Sequence, residues 1–130
     1  MITVDFTNQT ITSIDQRGVE KAVKEVLEKN GFNDTSVSVA VVHHNIVVDL
    51  AMQYMGESKQ EALDHPVLSF LTSEVEKEFV EPPESNFLGE IVISLEKSEY
   101  RSHTHKVTLQ EAIEYWADHA AHHLCGIHHD

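Results

Sequence analysis

The sequence predicts a small α+β domain in which helices pack around a mixed sheet of about four strands. Two patterns carry this prediction: short apolar or alternating segments, which are typical of strands, and longer segments with apolar residues at helical spacing. A chain of 130 residues can form one core of its own, so we expect a single domain over residues 1–130.

Four segments have the length and composition of strands. The first alternates apolar and polar residues, and the others are short runs rich in valine, isoleucine and leucine. Their predicted bounds are Ile2–Phe6, Val37–Val42, Val67–Phe70 and Leu88–Ile93.

Two helices are predicted in the first half of the chain. Ser13 and Gln16 have the spacing of a capping box, and apolar residues then recur at helical intervals until Asn30-Gly31. Apolar residues from Ile46 to Tyr54 predict a second helix that ends near Gly56.

The later part of the chain alternates between loops and helices. We interpret the polar residues 57–64 as a loop, and the acidic residues 72–86, with two consecutive prolines, as a mobile loop. A short helix, capped by Ser94, is expected to continue through Arg101.

The last helix has the clearest start. Thr108 and Glu111 have capping-box spacing, and a core stripe follows at helical intervals. That stripe consists of Leu109, Ala112, Ile113, Trp116, Ala120 and Leu124. His119 and His123 lie at the edge of this stripe, where packing holds one side of a side chain and a cleft can lie on the other.

The histidines at the end of this helix predict a metal site. His119 and His123 are four residues apart, which places their side chains on one helical face. Gly126 can end the helix in a left-handed conformation, so that His129 can fold back as a third ligand. Three imidazoles with an open fourth position are typical of catalytic zinc. Ala120 stands where the long zincin signature of peptidases has its glutamate base.

The cluster also has a simpler interpretation, because histidine-rich ends can be purification tags or loose metal scavengers. The amphipathic helix and the glycine at a fixed offset favour a built site instead. His122 and His128 do not fit the ligand spacing and are interpreted as bystanders. Cys125, the single cysteine, could be a soft ligand but is more typical of a small core residue.

Composition excludes several classes of protein. One cysteine cannot form a disulfide framework, and with no signal-peptide pattern at the N-terminus we expect a cytoplasmic protein. No apolar run is long enough to span a bilayer. Nine Lys and Arg against 22 Asp and Glu give a net charge of −13, which argues against general nucleic-acid binding.

At three segments the chain resembles the YbeY family of bacterial zinc-dependent endoribonucleases. The histidines His119, His123 and His129 match the family pattern H-G-x-L-H-L-x-G-x-D-H. Residues 88–94 look like its L-G-D-I-x-I-S strand and residues 67–70 like its D-V-L-S-F segment, with a faint L-N-x-x-Y match at residues 50–54. The resemblance covers roughly residues 37–130 and implies a zincin-like architecture.

The resemblance implies one Zn²⁺ ion, single-stranded ends of ribosomal RNA as substrate, and a ribosomal protein or the small ribosomal subunit as partner. We expect no membrane and no DNA partner. Met55 stands where the family has an arginine at the active site. Lys59 is the candidate to take over that charge, although lysine lacks the planar fork of arginine. The loop between Tyr54 and Leu68 is also longer than usual in the family, so we expect the activity to be weak.

Two further residues are candidates for catalysis. Ser69 could orient substrate or water, although a strand serine bonded to backbone is an equal alternative. Glu90 could hold a ligand imidazole, although an exposed carboxylate at a strand end is the simpler interpretation. Two other functions remain open on the same histidines, an amidase-like hydrolase and a non-catalytic metal-binding protein.

Overall fold

The computed structural model describes residues 1–71 and 87–126. Within them the chain forms four strands and five helices. The strands are β1 (Ile2–Asn8), β2 (Thr35–Val42), β3 (Val67–Leu71) and β4 (Phe87–Ser94). The helices are α1 (Gln16–Lys29), α2 (His44–Met55), α3 (Lys59–Ala62), α4 (Leu95–His105) and α5 (Leu109–Leu124).

The strands form one mixed sheet in the order β1-β2-β4-β3. Strands β1, β2 and β4 are parallel, and β3 runs antiparallel to β4 at one edge. The predicted α+β class and the mixed sheet of four strands are therefore confirmed. The helices within residues 1–71 and 87–126 include none with the length and hydropathy of a membrane span.

Helices cover both faces of the sheet because its central strands are apolar on both sides. In β4, Ile91 and Ile93 pack with α1 and α5, whereas Val92 between them packs with α2 and α3. This follows from the two-residue period of a strand, which sends successive side chains to opposite faces. The predicted metal site lies on the face covered by α5.

The start of α1 differs from the prediction. Asp15, not Ser13, is the N-cap, and its carboxylate accepts a hydrogen bond from the backbone N–H of Arg17. The Gln110 side chain of α5 both donates to and accepts from the Asp15 backbone, each at 2.9 Å. This long-range pair holds the chain where α1 begins, so the predicted Ser13 capping box is wrong.

The predicted loop at residues 57–64 also contains a short helix. Ser58 and Glu61 form a full capping box around α3, which lies between α2 and β3. Hydrogen bonds from Ser58 hold the pKa of Glu61 below its ordinary value. The predicted loop at 72–86 lies outside the described residues.

Most predicted helix ends are confirmed, although α4 continues to His105, past its predicted end at Arg101. Gly56 ends α2 with a left-handed φ of 65°, and Ser94 caps α4 by accepting from the Lys97 backbone N–H. Thr108 and Glu111 form the predicted capping box of α5, and hydrogen bonds from Thr108 lower the pKa of Glu111. These ends depend on residues within a few positions, which explains why the sequence predicts them.

Candidate active site

The two histidines of α5 lie as their spacing predicts. The Nε2 atoms of His119 and His123 are 3.2 Å apart, and their ring centroids are 4.7 Å apart. Both side chains are half-buried, between the exposed face of α5 and the buried residues Ala120 and Leu124. The helix therefore aims two imidazole nitrogens at one point.

This separation fits a shared metal ion. Two nitrogens bound tetrahedrally at about 2.0–2.1 Å from one zinc ion lie about 3.3–3.4 Å apart. The same separation also allows an N–H···N hydrogen bond between the rings when no metal is present. Within residues 1–71 and 87–126, no group of three or more His, Cys, Asp or Glu is placed to hold a metal. The third predicted ligand, His129, lies outside those residues, so the complete ligand set stays a prediction.

The helix ends where the motif requires it to end. Gly126 has a φ of 82°, and its backbone N–H donates to the carbonyl of His123. A left-handed residue at this position turns the chain out of the helical path at small conformational cost only for glycine. The predicted stop at Gly126 is confirmed.

Two aromatic rings of α5 pack against His119. Trp116 meets the His119 ring edge-on with centroids 5.7 Å apart, and the Tyr115 ring lies nearly parallel to it at 6.4 Å. The Arg101 guanidinium of α4 lies 3.4 Å from the centre of the Tyr115 ring, in a cation–π contact. These contacts restrict the rotamers open to the His119 side chain.

A cleft of about 540 Å³ opens beside the two histidines. Such a volume lies within the range of about 300–1,000 Å³ typical of small-ligand sites. Strand β3 and the last two turns of α5 form two of its walls, and Met55 lies at its border. The residues that line it are Met55, His65, Pro66, Val67, Leu68, Ser69, Leu71, His119, Ala120, His123, Leu124 and Gly126.

Of the three predicted catalytic residues, Ser69 reaches the cleft. It lies half-buried on β3, opposite Ile91 of β4 and so on the sheet face that α5 covers. Glu90 pairs with Phe70 and is exposed on the other face, so it is not brought near the histidines. Lys59 is exposed at the start of α3 and does not line the cleft.

One cleft residue, His65, and the side chain that pairs with it were not predicted from the sequence. His65 lines the cleft, and its Nε2 lies 2.7 Å from a carboxylate oxygen of Glu57. The sequence did not reveal this pair, because a Glu and a His eight positions apart have no predictable contact until α3 brings them together. The one available signal was a His-Pro pair directly before the β3 segment.

The other residues of the histidine cluster have separate contacts. The His122 ring lies within 3.1 Å of the Asp118 carboxylate, one turn earlier on α5, and does not line the cleft. Cys125 packs against the core, as predicted, and burial raises the pKa of its thiol. His128 lies outside the described residues.

Comparison with known proteins gives a consistent result. Residues 3–130 match the family model described as Endoribonuclease YbeY. The chain is 27% identical to the Endoribonuclease YbeY of Caldicellulosiruptor bescii over 123 residues, 94% of this chain and 76% of the relative. It is 33% identical to the protein of the same name from Desulforamulus reducens over 112 residues, 85% of this chain and 71% of the relative.

Proposed function

This chain belongs to the YbeY family of endoribonucleases, and from that premise we propose that it is a zinc-dependent, single-strand-specific endoribonuclease of ribosomal RNA maturation. Family membership makes the protein a nuclease, and hence a hydrolase with RNA as its substrate. The observation that carries the zinc proposal is the 3.2 Å separation of the His119 and His123 Nε2 atoms beside a cleft.

In this proposal His119, His123 and His129 hold the ion. A zinc ion bound there would activate water and polarise a phosphoryl oxygen. Neutral imidazoles are ordinary zinc ligands, and their approach from one helical face leaves the cleft side open. The position after the first ligand, Ala120, is buried and apolar, so the peptidase base is missing from the place where zincins hold it.

The cleft residues would hold a phosphodiester next to the histidines. Ser69 has a hydroxyl on the β3 wall, which can donate a hydrogen bond to a phosphate oxygen. The apolar residues Val67 and Leu71 on the same strand are partly buried and can contact the sugar or base. A single strand has exposed base faces for such contacts, which a duplex does not offer.

The negative net charge of the protein favours a basic partner that brings it to RNA. A net charge of −13 repels the RNA backbone, so the protein alone should bind RNA weakly. We propose that a basic ribosomal protein or the small ribosomal subunit, in the cytoplasm, brings the chain to the RNA. Electrostatic complementarity of that kind raises the association rate and specificity.

Cleavage of RNA by matched variants tests this function. The zinc-loaded protein should cleave a single-stranded RNA and spare the same sequence in a duplex, and His123→Ala should abolish cleavage. The control is His122→Ala, which removes the neighbouring imidazole on α5 that does not line the cleft. Metal analysis should find one zinc ion in the wild type and the control. Equal cleavage by His123→Ala and wild type would show that the activity does not come from this site.

A further inference from the structure

A second pair of titratable side chains lies at the cleft, formed by Glu57 and His65. Their atoms Oε1 and Nε2 are 2.7 Å apart, and their side chains are 20% and 28% exposed. His65 lines the same cleft as Ser69, His119 and His123. The pair is therefore largely shielded from water, and its His65 member borders the space in which a substrate would lie.

The backbone holds both members of the pair in place. Glu57 directly follows Gly56, the left-handed residue that ends α2. His65 is followed by Pro66, whose carbonyl accepts a hydrogen bond of 2.9 Å from the Ser94 backbone N–H. Between them lies α3 with its capping box, so hydrogen bonds order much of the segment that joins the pair. Side chains supported in this way keep a defined orientation.

We propose that His65 is the general base of this nuclease and that Glu57 positions it, an inference that rests on the proposed nuclease function. The Glu57 carboxylate can only accept a hydrogen bond, so the Nε2 of His65 carries the donated proton. In the neutral ring, Nδ1 then has the free electron pair. Among the described residues, Nδ1 has no hydrogen-bond partner.

The composition of the cleft supports this role for His65. The titratable side chains among its described lining residues are His65, His119 and His123. If the two α5 histidines bind the metal, their Nε2 atoms are occupied and His65 is left for proton transfer. Ala120 cannot act as a base at the position where zincin peptidases carry theirs, so a protein base for this reaction has to come from another position.

The proposed step is a hydrolysis in which His65 is regenerated. Nδ1 takes a proton from a water molecule while the water oxygen forms a bond to phosphorus. The bond between phosphorus and the leaving ribose oxygen breaks, and its electron pair stays on that oxygen. The imidazolium then returns the proton to the leaving oxygen, which gives an alcohol and a phosphate monoester. A carboxylate that orients an imidazole for proton transfer follows the logic of the hydrolase triads.

The test measures steady-state cleavage of single-stranded RNA and of bis(p-nitrophenyl) phosphate by the zinc-loaded protein. For His65→Ala, kcat on both substrates should fall by about a hundredfold or more, as is typical for loss of a general base, with KM nearly unchanged. Added imidazole should restore part of the rate to this variant and give no gain to the wild type. A purely structural role for His65 would not produce that rescue.

A second variant and a matched control keep the result independent of folding. Glu57→Gln leaves His65 in place, but the glutamine amide can donate a hydrogen bond to the imidazole. The ring can then adopt the wrong tautomer, so kcat should fall at least about tenfold. Nitrogen NMR should show His65 as the Nε2–H tautomer in wild type and as a mixture in Glu57→Gln. The control is His43→Ala, which removes a similar pair, His43 with Glu96 at 2.8 Å, that does not line the cleft. It should cleave at the wild-type rate.

Each outcome decides between the two claims. If RNA is cut and His65→Ala keeps the wild-type kcat, or if wild-type His65 is the Nδ1–H tautomer, the inference is overturned and the nuclease function stands. If only the synthetic diester is cut, with loss in His65→Ala and rescue by imidazole, the inference stands and the RNA function fails. If neither substrate is cut, both are overturned. Zinc content and Tm of each variant identify any loss that comes from misfolding.

Discussion

Gly89 of β4 lies against Leu124 of α5 at a point where the Phe70 carbonyl of β3 leaves no room for a side chain at position 89. A Cβ atom there would come within 2.9 Å of the Leu124 Cδ2 methyl and would overlap the carbonyl oxygen of Phe70 on β3. Leu88, just before it, is an extra residue in the pairing of β4 with β2. Leu124 directly follows His123, so this contact sets how closely the end of α5 can approach the sheet.

Gly89→Ala should therefore destabilise the fold by about 1–3 kcal/mol, the usual effect of overpacking. The backbone carbonyl of Phe70 cannot move aside without disturbing the β3–β4 ladder. Urea unfolding measures the change in the free energy of unfolding. The control is Glu90→Ala, the exposed neighbour on the same strand, which should change it by less than about 0.5 kcal/mol. Equal stability of Gly89→Ala and wild type would contradict the close contact.

Removal of zinc should lower the melting temperature. Binding to the native state alone stabilises it by about 2.7 kcal/mol when free metal is a hundredfold above Kd. A chelator should therefore reduce the Tm of wild type and of His122→Ala, but not that of His123→Ala. Scanning calorimetry with and without chelator checks this. A similar Tm shift in His123→Ala would place the stabilising ion elsewhere.

Met55 lines the cleft, so an arginine at this position could increase RNA cleavage. Met55→Arg should raise RNA cleavage by about tenfold, because a charge-assisted hydrogen bond to phosphate contributes about 1.5–3 kcal/mol and the half-exposed position keeps the gain near the lower value. The control is Met52→Arg, which adds the same charge on the same helix, at an exposed position that does not line the cleft. If both variants gain equally, the effect comes from overall charge and not from the cleft.

Ser69 and Lys59 should differ in their effect on cleavage. Ser69→Ala should lower kcat/KM by about tenfold, which corresponds to one lost hydrogen bond of about 1.4 kcal/mol to the substrate. Lys59→Ala should stay within about twofold, because Lys59 is exposed and outside the cleft. Initial rates on one RNA at several concentrations measure both. A large loss in Lys59→Ala alone would mean that its side chain reaches the substrate in the complex.

Glu96 should make the stability depend on acid pH. Burial opposes its ionisation, but hydrogen bonds from the His43 ring and the His44 backbone N–H outweigh burial and lower its pKa below the ordinary 4.5. A lowered pKa in the folded state stabilises the fold above the unfolded pKa, and this contribution is lost as pH falls through the folded value.

At pH 6 the wild type should therefore unfold at a higher urea concentration than Glu96→Ala. This difference in urea midpoint should shrink as pH falls below 4.5. Glu99→Ala is the control, because it removes a carboxylate from the same helix that has no hydrogen bond among the described residues. Its effect should be small at both pH values. A Glu96→Ala difference that grows towards low pH would contradict the direction of the shift.

The features that the sequence predicted correctly are local ones. The capping box of α5 joins residues three apart, and the left-handed Gly126 follows from the backbone freedom of one residue. The convergence of His119 and His123 needs nothing beyond the pitch of a helix. The strand segments were also predictable from the sequence, because the period of apolar residues depends on neighbours along the chain.

What the sequence could not determine depends on residues far apart in the chain. Asp15 became the cap of α1 through Gln110, 95 residues away. Glu90 lies away from the histidines because α5 covers the other face of the sheet, and strand alternation alone does not say which face a helix will cover. His65 meets Glu57 at the cleft only because α3 folds between them. The sequence by itself therefore determined the helices and strands and the pair of ring nitrogens on α5. The packing of those elements decided which side chains share the cleft with these nitrogens, because contacts across the core do not follow from the spacing of residues along the chain.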